Sequence, residues 1–173
     1  MPTQSKSRKQ NQDRNPEREL RKQLAAFLRG GHAHVDLATA IKDFPARFYG
    51  AKPPGSPHSA WELLEHMRIA LHDLLEFSTS PKYREPNWPD DYWPSTSAPP
   101  SPTAWRASVR AIRNDLKAFE ALVNNPKNQL EAEIPWGKNG QTLLREVLLV
   151  IDHNSYHLGE LVLLRQSLGI WKS

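Results

Sequence analysis

"GQTLLREVLLVIDHNSYHLGELVLLRQSLGIW" occupies residues 140–171, and its reading decides the fold class. Leu143, Val147, Val150, Leu158, Leu161 and Leu164 recur at steps of three, four and eight, the period of one face of a helix. The pattern predicts a helix over about 141–168, closed by Gly169. Within it, His153 and His157 stand at i and i+4, so both rise from the same face with Cβ atoms about 5–6 Å apart.

Outward from that helix, the rest of the chain reads the same way. Ser59 with Glu62 three residues later forms a capping-box pattern, and Leu63, Met67, Ala70, Leu74 and Phe77 follow at helical spacing, predicting a helix over 59–78. Ser101-Pro102 opens a third helix, about 102–124, with Trp105, Val109, Ile112, Leu116 and Phe119 inward. Asn15-Pro16 starts a helix over 16–29, stopped by Gly30-Gly31, and a further helical stretch is expected over about 34–44. Almost nothing reads as strand. The expected architecture is all-α, a four-helix bundle with an extra N-terminal helix. Residues 79–101 contain six prolines, too many for a helix, and this connection is long for a hairpin. It suits a crossover spanning the bundle, which gives an up-down-down-up order.

Composition narrows the chemistry. With no cysteine, disulfides, thiolate ligands and a cysteine nucleophile are all excluded, and a cytoplasmic location is expected. Basic charge is concentrated at the start: residues 1–30 hold eight Lys/Arg against three Asp/Glu, leaving fifteen against sixteen in the remainder. Residues 1–15 therefore read as a disordered basic tail, and residues 16–173 as one nearly neutral domain. A basic tail without a basic face is a poor case for nucleic acid, so none is expected as a partner. The longest apolar run, Val147–Ile151, is far short of the roughly 20 residues that cross a bilayer, so no membrane role is expected.

Two histidines at this spacing can each turn a nitrogen toward one metal ion, but a divalent ion needs more ligands. Without cysteine, the third must be His, Asp or Glu from elsewhere. The helix over 59–78 offers His66, with Glu65, His72 and Asp73 as other polar candidates. His72 lies roughly 240° round the helix from His66 and cannot share its ion. Three histidines with an open fourth position would make a catalytic-type site, as opposed to a closed structural one. His-x-x-x-His also arises by chance in many helices, so spacing alone leaves both readings open.

The segments "SPHSAWELLEHMRIALHDLLEF" (56–77), "NWPDDYWPSTSAPPSPTAW" (87–105) and the 140–171 stretch together resemble the DinB/YfiT-like superfamily of helical metalloenzymes, over about residues 18–171. The resemblance implies a DinB-like up-down-down-up bundle across 16–173. It also implies a metal triad of His66, His153 and His157 holding Zn or Ni. By the same resemblance, the activity would be transfer of a low-molecular-weight thiol to a small electrophilic substrate, or related hydrolysis, in a homodimer. Trp61, Asp152, Asn154, Tyr156 and Glu160 are candidates to wall the pocket or hydrogen-bond a ligand imidazole. Trp88, Tyr92 and Trp93 either roof the pocket or, the reading favoured here, anchor the long connection. The competing functional class is a non-catalytic metal-binding or dimerisation module in a stress response.

Overall fold

The computed structural model describes residues 15–172. It contains α1 (Pro16–Arg29), α2 (Leu37–Ile41), α3 (Ala60–Thr79), α4 (Pro102–Asn124) and α5 (Leu143–Ser167), with 3₁₀ turns at Ala46–Phe48 and Asp90–Tyr92. Among the described residues the only strand-like pairing is an isolated bridge between Glu133 and Thr142. The basic tail expected over residues 1–15 falls, up to residue 14, outside the described residues; Asn15 already belongs to the fold as the cap of α1.

The helices begin where their capping chemistry puts them. Asn15 Oδ1 accepts from the Glu17 and Arg18 amides at 3.0 and 3.3 Å. The capping box closes in both directions: Glu62 N donates to Ser59 Oγ at 3.2 Å, and Ser59 N donates to Glu62 Oε2 at 2.7 Å. Ser101 and Thr142 cap α4 and α5 in the same manner, each accepting from the amide three residues on at 3.2 Å. At the far end of α5, Gly169 sits at φ 67°, and the Gly169 and Ile170 amides fold back to Gln166 O and Arg165 O, a Schellman closure.

The stretch expected to be helical over 34–44 shortens to α2. Asp36, as N-cap, accepts from Thr39 N at 2.8 Å, so the helix starts late. Asp43 at φ 51°, followed by Pro45, ends it early.

Side-chain contacts set the directions of the long helices. Tyr49 O accepts from Trp61 N at 2.8 Å while the Tyr49 ring stacks on Trp105 at 3.9 Å, so α3 and α4 start at one end of the molecule. Further along both, His72 meets Asp115 at 3.1 Å, so they run the same way. Arg21 reaches Val123 and Asn125, whereas Arg29, later in α1, reaches Glu120, earlier in α4; these two helices oppose each other. Leu63 and Leu164 share one cavity wall while Phe77 and Arg145 share another, so α5 opposes α3. Hence α1 and α5 run one way and α3 and α4 the other. Two parallel neighbours need a connection as long as the bundle, and residues 80–101 supply it. The shared core includes Leu64, Ile112, Phe119, Val147 and Leu161, all without measurable exposure. α1 packs against α4 and α5 as one of the four long helices, and α2 is the small additional element. No described helix is long and apolar enough to cross a membrane.

Candidate metal centre

α3 contributes His66 and α5 contributes His153 and His157. One ligating nitrogen from each lies within 4.8 Å of the others. The ring centroids are 4.9, 4.6 and 4.5 Å apart for the pairs 66/153, 66/157 and 153/157. His66 and His157 are buried and His153 is partly so. The opposed directions of α3 and α5 produce this meeting: His66, nearly two turns into α3, finds the middle of α5 across the shared groove.

Two of the three rings are oriented by their other nitrogen. His66 Nδ1 lies 2.9 Å from Tyr92 O, and a carbonyl can only accept, so Nδ1 carries the proton. His157 Nδ1 lies 2.6 Å from the Glu160 carboxylate and is likewise the donor. In the neutral rings this leaves Nε2 bare. His66 Nε2 faces His153 Nε2 at 3.1 Å. With His66 Nε2 bare, His153 Nε2 either donates its proton to it or, deprotonated, shares a cation with it. Imidazole nitrogens sharing one ion at about 2.0–2.1 Å in tetrahedral arrangement sit roughly 3.3 Å apart, so the donor set fits a divalent ion.

The electrostatics act in the same sense. Burial pushes the pKa of His66 below its ordinary value, against a smaller opposing effect from the Tyr92 carbonyl. His153 is pushed down to about 4, chiefly by burial and then by its neighbours His157 and His66. Both rings are therefore held neutral at physiological pH, with lone pairs available.

The crossover forms the roof. Trp93 stacks on His66 with centroids 4.0 Å apart and planes 3° from parallel, and His58 stacks on its other face at 4.0 Å. Asp73, two turns beyond His66 on α3, accepts from the hydroxyls of Tyr83 and Tyr92 at 2.8 and 2.6 Å and ties this loop down. The loop therefore both anchors itself and covers the histidines. Anchoring, the role favoured from sequence, falls to Tyr92, while Trp93 serves as roof. Cavities of about 250 and 300 Å³ open along the α3/α5 groove, the first bordered by His58 and Glu160, the second by Tyr83, Tyr92 and Arg145, and none of the three histidines lines either.

The other candidates fall in varied places. Glu160 is at the cluster through His157. Tyr156 sets its ring edge-on to His157 at 4.9 Å and is 65% exposed. Asp152 points to solvent. Asn154 hydrogen-bonds the His153 side chain and also lines a different cavity, between α5 and the α1–α2 connection. Trp61 is buried in the core. His72 pairs with Asp115, away from the cluster. A family model described as the DinB superfamily matches residues 31–161. No curated protein and no solved structure matches the chain.

Proposed function

The chain belongs to the DinB superfamily, and from that premise we propose that it is a metal-dependent enzyme whose His66, His153 and His157 hold one Zn or Ni ion. The observation that carries this reading is the convergence of three ring nitrogens within 4.8 Å, two of them oriented from behind by Tyr92 O and Glu160. We place the domain at residues 16–173 and assign the protein a small electrophilic substrate, with thiol transfer or hydrolysis as the reaction class. A bound divalent ion supplies Lewis-acid polarisation and a positive field for an incoming nucleophile.

The protein's own groups supply the rest. Tyr92 O and Glu160 fix the tautomers of His66 and His157, which orients the lone pairs. Trp93 covers the His66 ring and keeps water from its face. Since the chain has no cysteine, the thiol of a transfer reaction comes from a cosubstrate.

The second reading, a non-catalytic metal-binding or dimerisation module, draws on Leu148, Tyr156 and Leu163. These are 51, 65 and 63% exposed along one side of α5, a surface that a second copy can cover.

The test is metal analysis by mass spectrometry on protein purified without a histidine tag, wild type beside His157→Ala. Near-stoichiometric zinc or nickel in the wild type, lost in the variant, supports the assignment. Absence of metal in both after reconstitution sinks it. Steady-state turnover of thiol-dependent and hydrolytic substrates by the loaded protein then separates the enzyme from the module.

A further inference from the structure

A cavity of about 320 Å³ opens on another side of α5 from the histidines. Asn154 and Leu158, which line it, each lie one residue after a histidine, roughly 100° round the helix, and Val150 lies three before His153, roughly 60° round. Its floor is built by all four long helices: Leu28 from α1, Met67 from α3, Ile112 from α4, and Val150 and Leu158 from α5. All five belong to the buried core, with exposures of 0 to 5%. The cavity is thus a recess in the bundle's own core and no surface dimple.

Its mouth carries polar groups, but they are engaged with one another. Arg29 pairs with Glu120 at 2.5 Å. His34 Nε2 meets Ser155 Oγ at 3.2 Å and its Nδ1 meets Val35 O at 2.9 Å. Asp36 accepts from the Thr39 amide. No charged group at the mouth is left facing inward without a partner, so a charged ligand would lose its hydration and gain nothing. Phe27, 51% exposed, pairs with the His32 ring at 4.9 Å and adds an aromatic lip.

We propose that this cavity is a binding site for a neutral, apolar molecule of two fused rings, separate from the histidine cluster. Size sets the class: an apolar cavity of about 150 Å³ holds benzene, and this one is about twice that. Its walls make no dispersion contacts across the empty space, and a ring system of matching shape restores them. The lining matches the general character of ligand sites between helices of bundles, with an apolar interior and few polar groups.

The experiment is calorimetric titration of the full chain, as isolated, with indole and separately with indole-3-carboxylate. Saturable indole binding is expected, with the carboxylate about tenfold weaker or worse. Leu116→Trp, which places a larger side chain against the cavity from α4, is expected to weaken indole binding about tenfold or more while metal content stays at the wild-type level. Methyl NMR of the wild type keeps the test independent of whether that variant folds. Indole-induced shifts centred on Met67, Ile112, Val150 and Leu158 support the site. Shifts centred along the α3/α5 groove, no saturable binding, or undiminished binding in a folded Leu116→Trp overturn it. A metal-free protein that still binds indole leaves this site standing and removes only the metal assignment.

Discussion

Arg21 and the histidine cluster are both buried polar groups in the same bundle, and they are built in opposite ways. Arg21 is 7% exposed, and each of its nitrogens finds an acceptor. Nε and Nη2 bond Glu17 at 3.1 and 2.6 Å, Nη1 bonds Val123 O and Asn125 O at 2.6 and 3.1 Å, and Nη2 also bonds Asn128 O at 2.6 Å. Those carbonyls are the open end of α4 and the turn after it, so the guanidinium closes a helix terminus. At the cluster the outer nitrogens of His66 and His157 are satisfied, while the inner ones face one another. Polarity that is closed on itself stabilises the fold; polarity satisfied from behind and open in front is arranged for something else.

The comparison breaks most easily at Arg21. Replacing it with Ala strands several acceptors in or near the core, and a loss of about 3 kcal/mol is expected in urea denaturation, with metal content per folded molecule unchanged. A loss below about 1 kcal/mol would mean that Arg21 is not the closure described here.

The second effect is on pH. In chelator-treated protein, His153 has a folded pKa of about 4, below its ordinary 6.5. The unfolded chain therefore takes up the proton first as pH falls. The stabilising contribution is complete above about 6.5 and disappears down to about 4. The full interval corresponds to about 3 kcal/mol, and solvent access to the partly exposed ring reduces it to about 2. His66 shifts in the same direction and adds to the loss. Urea midpoints at pH 7.5, 5.5 and 4 should show this decline, and the decline should be smaller in His153→Ala. Parallel curves for the two proteins would refute it.

The smallest effect sharpens the comparison at the cluster. Glu160→Gln keeps an oxygen to accept from His157 Nδ1 but removes the charge. Zinc affinity in competition with a chromophoric chelator should fall about tenfold, with the urea midpoint nearly unmoved. A large stability change without an affinity change would place Glu160 in the scaffold.

How far the sequence reveals this arrangement varies by element. Caps at Asn15, Ser59 and Ser101 were legible because capping is local: the residue, its offset and the following apolar period lie within a few positions. The pair on α5 was legible for the same reason. His66 was one of several polar candidates on its helix until the resemblance singled it out, since nothing in local spacing links residues 87 apart in the chain. The roof was only half legible: the aromatic residues of the crossover were candidates for it, but sequence did not separate roofing from anchoring. Trp93 reaches His66 through the path of a proline-rich loop, and that path is set by tertiary contacts at Asp73 that carry no periodic signal. The apolar positions around α2 suggest a longer helix than forms, because the Asp36 cap and the turn at Asp43 cut it short.

One contact at the cluster has a consequence for how the protein tolerates change. The acceptor that sets the tautomer of His66 is the main-chain oxygen of Tyr92. No replacement at position 92 can delete that atom. Substitution there can weaken the tether to Asp73, but the oxygen remains wherever the chain passes. The exposure of His66 to genetic damage is therefore shifted from replacements to insertions and deletions between residues 80 and 101, which re-thread the chain and move the carbonyl away.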